Sequence, residues 1–168
     1  VAFRDQRPEV RRGAWMYLIA THIGTGLFVL PLFGILFSRT GTTAFSSFAG
    51  AVGSGDDTTL LTLFGLGLAG FGTKAGLMPM HVWLPAAHPV APTPVSAFLS
   101  GVVVKTGVYG LLRLLTWLPP LPLVCGEFLL LAAVVSGVMG VLYALAQHDL
   151  KRLLAYHTVE NIGIIAFS

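Results

Sequence analysis

Charge is scarce in this sequence. Only 10% of its 168 residues are Asp, Glu, Lys or Arg, and 55% are hydrophobic, whereas a soluble globular domain carries about 25% charged residues. A soluble chain of this length would need more charge to cover its surface. Several apolar runs also approach or exceed the roughly 20 residues that cross the hydrocarbon core of a bilayer. The composition therefore excludes a soluble domain and predicts an integral membrane protein.

Cysteine and the common cofactor motifs are also lacking. The single cysteine, Cys125, excludes an intrachain disulfide and any multi-cysteine metal site. The sequence contains no Walker loop, no GxGxxG pattern after a strand, no CxxC and no HExxH. We therefore expect no cofactor and no catalytic metal in this chain.

The two ends lack the usual signals of a complete chain. The sequence opens without methionine on a polar segment that does not resemble a signal peptide, and it stops within an apolar run. We expect it to be an internal piece of a longer protein, with residues 1–168 forming a single fragment of one transmembrane domain.

The net charge of +3 could suggest a nucleic-acid partner, but the positions of the charges indicate membrane topology. Eight of the Lys and Arg residues lie outside the middle of the predicted spans. Six of them should lie on one side of the membrane, and two, Arg39 and Arg113, on the other. Because basic residues favour the cytoplasmic side, we place the 147–152 link there, in a prokaryotic plasma membrane. The six are Arg4, Arg7, Arg11, Arg12, Lys151 and Arg152.

The apolar segments predict an all-α fold, a polytopic bundle of transmembrane helices. The predicted spans are 14–37, 58–84, 95–114, 122–146 and 153–168. The second is rich in glycine and is interrupted by prolines, which is typical of the discontinuous helices of transporters. We expect the structural break of this helix at Gly72, Pro79 and Pro85.

Lys74 and Lys105 are the strongest functional signals. A lysine at the centre of a bilayer costs about 2.5–3.5 kcal/mol on insertion scales, so it must face protein or water. Burial disfavours an ammonium group, and a buried lysine can therefore exchange a proton near neutral pH. The alternative is a side chain that reaches the interface from a helix end, which explains Lys74 more readily than the mid-span Lys105.

One face of the third span combines small and polar residues. Gly101, Lys105, Tyr109 and Arg113 recur every four residues and form a stripe along the helix. Small residues allow a neighbouring backbone to approach, as at many membrane helix interfaces. We therefore expect a neighbouring backbone or water to approach Lys105, and its amine to be desolvated.

Three further titratable residues are candidates for proton translocation. His22 lies in the first span beside Thr21, and His81 follows Lys74 by seven residues; histidine titrates near neutrality and can shuttle protons. A purely structural role is the alternative for each. Glu160 lies three residues after His157, and the two could pair or line a half-channel.

Two segments resemble a known family. Residues 71–97, reading FGTKAGLMPMHVWLPAAHPVAPTPVSA, and residues 149–156, reading DLKRLLAY, resemble the antiporter-like membrane subunits of respiratory complex I, of Mrp-type cation/proton antiporters and of energy-converting hydrogenases. Residues 14–22 and 158–163 are most similar to the hydrogenase-4 and formate hydrogenlyase branch.

The resemblance implies a larger bundle of about fourteen helices, of which these spans would be the sixth to the tenth, with a discontinuous helix near the midplane. It makes Lys74 the lysine of the broken helix and Lys105 the lysine of the central channel. In the family, the lysine of the broken helix pairs with a glutamate on the preceding helix, which this sequence does not include. A second broken helix of the family is also outside this sequence.

The leading hypothesis is a proton-translocating subunit of a redox-driven membrane complex. Its partners would be the lipid bilayer, other membrane subunits and hydrophilic redox subunits that carry iron–sulfur, nickel–iron or flavin centres, with protons as the transported ion and Na⁺ left open. The alternatives are a subunit of NADH-quinone oxidoreductase, an Mrp-type antiporter subunit, and an anchor that moves no ions. No nucleic acid is expected.

Overall fold

The computed structural model describes residues 7–50 and 56–168, and every regular element in these two ranges is helical. The prediction of an all-α membrane fold is confirmed. Six helices follow one another, with a single 3₁₀ turn at Phe45–Gly50 between the first two. They are α1 (Pro8–Thr40), α2 (Asp57–Ala75), α3 (Trp83–Ala87), α4 (Thr93–Trp117), α5 (Leu123–Leu145) and α6 (Leu150–Phe167).

Ordinary local signals set the helix boundaries. Pro8 occupies the first turn of α1, where its missing N–H is not needed. Asp56 caps α2 by accepting a hydrogen bond from the backbone of Thr59, and Asp149 caps α6 by accepting from Lys151 and Arg152. The caps fix where the chain enters the bundle after each connection.

Three helices, α1, α4 and α5, are long and apolar enough to cross a membrane by length and composition alone. The other two long helices, α2 and α6, are not among these three, and both contain charged residues: Asp57 and Lys74 in α2, and Lys151, Arg152 and Glu160 in α6. These charges lower the average hydropathy of the two helices, which pack against the more apolar ones.

Two hydrophobic clusters hold the helices together. The first, near the Arg39 end, joins Leu32 and Leu36 of α1 to Leu63 of α2 and Trp117 of α4. The second surrounds the segment between α2 and α3 and includes Trp83. Helices α5 and α6 pack closely over small residues, where the backbone of Gly137 and Ala133 leaves room only for a hydrogen at Gly163.

Three connections meet at one end of the bundle. Gly13 of α1 packs against the backbone of Ala86 in α3 so closely that an added Cβ would lie 2.6 Å from the Ala86 oxygen. The ammonium of Lys151 donates a 2.8 Å hydrogen bond to the carbonyl of Ala91. The start of α1, the proline-rich turn and the 147–152 link therefore share an end, as the sequence predicts; Arg4 lies outside the described residues.

Candidate functional site

The centre of the candidate site is the end of α2, directly after Lys74. Gly76 adopts a left-handed conformation with φ of 78°, which ends the helix. The backbone N–H of Leu77 donates to the Gly72 carbonyl at 2.9 Å and the N–H of Gly76 donates to the Thr73 carbonyl at 3.3 Å, which are the two hydrogen bonds of a Schellman motif. The Gly76 N–H also lies 2.9 Å from the Gly72 carbonyl oxygen. Pro79 lies in the following turn and Pro85 within α3. The carbonyl of Gly72 is thus the hydrogen-bond acceptor of the last turn, and Gly76 directly follows Ala75, the last residue of α2.

Two side chains form hydrogen bonds with the backbone at the break. The indole Nε1 of Trp83 donates a 2.7 Å hydrogen bond to the Thr73 carbonyl. The hydroxyl of Ser136, fully buried in α5, accepts a 2.8 Å hydrogen bond from the backbone N–H of Met78. Irregular backbone at membrane depth is tolerated where protein groups replace the lost helical bonds. The break is therefore a built feature of the bundle.

The break lies at the middle of the bundle's thickness. Gly24, the central residue of the 33-residue helix α1, packs against Thr73 so that an added Cβ would lie 3.2 Å from the Thr73 Cβ. Lys74 follows Thr73, is half-buried and forms no ion pair with any described residue. The structure thus brings Lys74 to mid-depth at a helix end.

Helix α4 presses against the same point. Gly107 of α4 contacts the backbone of Lys74 and Ala75, and an added Cβ there would lie 2.9 Å from the Lys74 carbonyl carbon. Lys105, two residues earlier, is the middle residue of the 25-residue helix α4. The two candidate lysines therefore belong to two helices that touch at the break.

A π-helical turn, Leu99–Val103, precedes Lys105 within α4. The Nζ of Lys105 donates a 3.2 Å hydrogen bond to the Ser100 carbonyl, five residues earlier. A π turn shifts the backbone hydrogen bonds by one residue, and the Ser100 carbonyl in this turn accepts the hydrogen bond from the lysine. Such turns often occur at functional sites.

The stripe around Lys105 is exposed among the described residues, and none of the described helices covers it. Lys105 and Gly101 are exposed, and none of the described residues comes within 4 Å of a Cβ added at Gly101. Tyr109 is 61% exposed, and the guanidinium of Arg113 lies 6.0 Å from its ring centre. The physical reason is that α4 uses its opposite face, at Gly107 and Gly110, to contact α2.

His22 lies apart from both lysines, on an exposed face of α1. Its Nδ1 donates a 2.8 Å hydrogen bond to the Leu18 carbonyl one turn earlier. A second π turn, Gly24–Val29, begins two residues later and packs against α2. His22 is therefore next to the irregular part of α1, although its ring does not reach the break.

His81 lies in the break itself. Its Nδ1 is buried and has no hydrogen-bond partner among the described residues. The ring lines a cavity of about 700 Å³ between α2, the break and α5, whose other walls are largely apolar, with Leu77, Met78 and Phe128 among them. His81 is thus a polar group at the edge of an apolar cavity beside the broken helix.

Glu160 pairs with His157, one of the two arrangements that the sequence left open. The Nδ1 of His157 lies 2.6 Å from Oε2 of Glu160. The hydroxyls of Ser100 and Thr158 meet at 3.1 Å and join the π turn of α4 to α6 close to this pair. Lys105 and the His157–Glu160 pair thus lie on helices that are linked by one hydroxyl contact.

Ser136 and Trp83 carry structural roles at the site that the sequence analysis did not assign. Ser136 is polar within the strongly apolar 23-residue helix α5, and that contrast was the available signal. Nothing in the sequence indicated that the indole of Trp83 would reach the Thr73 carbonyl.

Across residues 7–50 and 56–168, no group of three or more His, Cys, Asp or Glu side chains is placed to hold a metal ion.

Known proteins are similar to this chain in sequence and in fold. The chain is 41% identical to hydrogenase-4 component B of Escherichia coli (strain K12), over 98% of this chain and 24% of that protein. It is 48% identical to formate hydrogenlyase subunit 3 of the same organism, over 60% of this chain and 16% of that protein. The chain thus spans about a quarter or less of the length of these relatives.

A solved structure agrees with the sequence relatives. The chain matches a subunit in the structure of the Mrp complex from Dietzia sp. DQ12-45-1b with a TM-score of 0.87 and 34% identity, over 96% of this chain and 18% of that chain. The family described as NADH:quinone oxidoreductase/Mrp antiporter, TM, matches residues 1–168. This integral membrane chain, with its broken helix after Lys74, therefore belongs to the NADH:quinone oxidoreductase/Mrp antiporter transmembrane family.

Proposed function

We propose that this chain is part of a proton-translocating subunit of a redox-driven membrane complex of the hydrogenase-4 or formate hydrogenlyase type. Protons move through Lys74 and Lys105, with His22, His81 and Glu160 as further exchange groups. The observation that carries the proposal is the contact of Gly107 with the backbone of Lys74, which joins two lysine-bearing helices at a mid-depth helix break.

The depth of Lys105 supports this role. Twelve residues of α4 lie on either side of it, or about 18 Å of helix at 1.5 Å per residue. Half of a bilayer's hydrocarbon core is about 15 Å. The ammonium group is therefore far from both interfaces. At the centre of a bilayer a lysine costs about 2.5–3.5 kcal/mol unless protein or water surrounds it. A protein that only anchors other subunits gains nothing from this residue.

The break at Lys74 supports the same role. A helix that ends at Gly76 within the bundle allows the segment carrying Lys74 to change position without disturbing the whole helix. The Trp83 indole binds the Thr73 carbonyl on the α2 side of the break, and Ser136 holds the backbone of Met78 after it. A lysine at such an end can face alternate neighbours, which is what loading and releasing a proton require.

The open face of α4 also fits a piece of a larger subunit. We propose that segments of the protein beyond this chain cover Lys105 and Tyr109 and supply the counter-charges of the path. The electron-transfer chemistry would take place on hydrophilic partner subunits that carry iron–sulfur, nickel–iron or flavin centres, and the present chain would respond to it through other membrane subunits.

Two alternative functions lie within the family, and one lies outside it. A subunit of NADH-quinone oxidoreductase or of an Mrp-type antiporter would use the same two lysines, with H⁺ or Na⁺ as the coupled ion. An anchor that moves no ions is the alternative of a different class. The two lysines near the midplane favour the transporting forms.

A substitution at the break tests the function. In the intact complex, reconstituted into vesicles, Lys74→Met keeps an unbranched side chain and removes the amine. We expect redox turnover with at least a tenfold lower ratio of protons moved to electrons transferred. Arg11→Met, at the exposed start of α1, is the control. An unchanged ratio in Lys74→Met together with Lys105→Met would favour the anchor.

Orientation is tested separately. We propose that the Lys151 end of the bundle faces the cytoplasm of a prokaryotic cell, because basic residues gather there. In a Cys125→Ala background and in right-side-out vesicles, a cysteine at Asp149 should react with a membrane-impermeant maleimide only after the vesicles are opened, whereas a cysteine at Thr43 should react already in the intact vesicles. Labelling of both from the same side would contradict the orientation and the topology together.

A further inference from the structure

The three connections that meet at the Lys151 end enclose a cavity of about 910 Å³. Its walls come from the start of α1, from the proline-rich turn and from the 147–152 link. Apolar side chains, including Met16, Val82 and Val90, line the cavity together with charged ones. The cavity therefore suits a ligand that has both an apolar and a polar part.

The charged side chains of this cavity are mainly basic. Two acidic residues accompany them, but the carboxylate of Asp149 is occupied by the backbone N–H groups at the start of α6, which leaves Glu9 as the acidic residue that is not part of a helix cap. The basic residues lining the cavity are Arg7, Arg12, Lys151 and Arg152. The cavity thus favours an anion.

The start of α1 adds to the same preference. No side chain caps this helix among the described residues, and its N-cap residue, Arg7, lines the cavity. The positive end of the helix dipole attracts negative charge. Lys151 stabilises the opposite wall through its hydrogen bond to Ala91, so the cations are held on two sides of one space.

We propose that this cavity binds the phosphate headgroup of an anionic phospholipid such as phosphatidylglycerol. Arg7, Arg12 and Arg152 contact the phosphate, and the acyl chains leave along the apolar wall at Met16 and Val82, the latter being 53% exposed. Basic cavities between membrane helices at the level of the headgroups recognise anionic lipids in this way. The inference does not depend on proton translocation.

The position of the cavity favours a lipid over a soluble phosphate compound. The cavity lies at the end of the bundle where the helices leave the membrane, and part of its wall is apolar. A soluble phosphate compound would not use the apolar wall. A phospholipid uses both parts, and the lipid is present at high local concentration at this depth.

Lipid titration of the intact complex tests the proposal. The complex is purified in detergent, stripped of lipid and titrated with phosphatidylglycerol, and bound lipid is counted by native mass spectrometry. The triple variant Arg7→Gln, Arg12→Gln and Arg152→Gln should bind about 100-fold more weakly, because each basic residue near an anionic headgroup contributes about fivefold. Arg11→Gln is the matched control, since Arg11 belongs to the same flank but does not line the cavity; we expect a change of less than about twofold.

Two further titrations identify the ligand. Phosphatidylcholine should bind at least tenfold more weakly than phosphatidylglycerol, and inorganic phosphate should not displace the lipid. If the triple variant does not assemble, Arg152→Gln alone should weaken binding about fivefold. The proposal is overturned if the variants bind phosphatidylglycerol like the wild type, if Arg11→Gln loses as much, if phosphatidylcholine binds equally well, or if phosphate alone occupies the site.

Discussion

The Nζ of Lys105 donates a hydrogen bond to the carbonyl oxygen of Ser100, five residues earlier in the same helix. A regular α-helix uses that carbonyl for the backbone N–H four residues later, whereas the π turn at Leu99–Val103 changes the register around it. The lysine is thus coupled to the one irregular turn of its helix. The Ser100 hydroxyl contacts Thr158 of α6, so the same turn is also in contact with the neighbouring helix.

Gly107 should be the least tolerant glycine of α4. Gly107→Ala places a methyl group against the backbone of Lys74 and Ala75, which cannot give way as a side chain can. We expect α4 to move away from the break, with a loss of about 1–3 kcal/mol in stability. The thermal midpoint of the purified complex measures the loss. Gly101→Ala is the control, because no described residue lies within 4 Å of the added carbon; equal losses in both would contradict the assigned contact.

Ser136 should matter for the break although it is far from it in sequence. Ser136→Ala leaves the backbone N–H of Met78 buried without an acceptor, which costs about 1–3 kcal/mol. We expect faster hydrogen exchange at residues 76–82 and a lower thermal midpoint. Ser38→Ala is the matched control, since the Ser38 hydroxyl is exposed and donates only to its own helix. Unchanged exchange in the Ser136 variant would show that the bond is not needed.

His88, in the proline-rich turn, should make the stability of the Lys151 end depend on pH. The residue is 3% exposed, and burial, with Lys151 as a second cause, holds the pKa of His88 below its ordinary value of 6.5. The folded protein therefore binds this proton less readily than the unfolded chain. The contribution of His88 to stability is largest above pH 6.5 and decreases as the pH falls below that value.

Thermal midpoints of the complex between about pH 8 and pH 5 measure this effect. The Nδ1 of His88 lies 2.7 Å from the Ser96 hydroxyl, and His88→Asn retains a polar group there while removing the titration. We expect a flatter pH profile in His88→Asn than in the wild type. His148→Asn, at an exposed position, should leave the profile unchanged. A profile that is equally steep in the His88 variant would rule out this residue as the source.

Much of the fold could be predicted from the sequence because it depends on strong local signals. The long apolar runs predicted an all-α membrane fold, which is confirmed, and α1, α4 and α5 are long and apolar enough to cross a membrane. The glycines and prolines around Lys74 predicted an interrupted helix, and in the described residues α2 ends at Ala75 and α3 begins at Trp83. The resemblance in residues 71–97 predicted the family, which is confirmed over residues 1–168.

The details of the site could not be predicted because they depend on contacts between distant residues. Gly72 and Gly76 are both glycines and look alike in the sequence. Only the hydrogen bonds of the last turn show that the helix ends just before Gly76. A close neighbour at Lys105 was predicted from the small residues beside it, but Gly107 and not Gly101 faces another described helix. Sequence spacing gives the faces of a helix and does not tell which face is covered.

The proposed function depends most directly on Lys105, because a protein that only anchors other subunits would not need an amine in the middle of a membrane span. In the intact complex, Lys105→Met should assemble, since an apolar side chain at mid-depth lowers the insertion cost. Lys105→Arg should not restore function fully, because a guanidinium keeps its proton. The decisive measurement is the number of protons moved per electron transferred, from redox turnover and vesicle acidification recorded together. The account predicts a ratio at least tenfold lower in Lys105→Met than in the wild type; assembly with a wild-type ratio would contradict it.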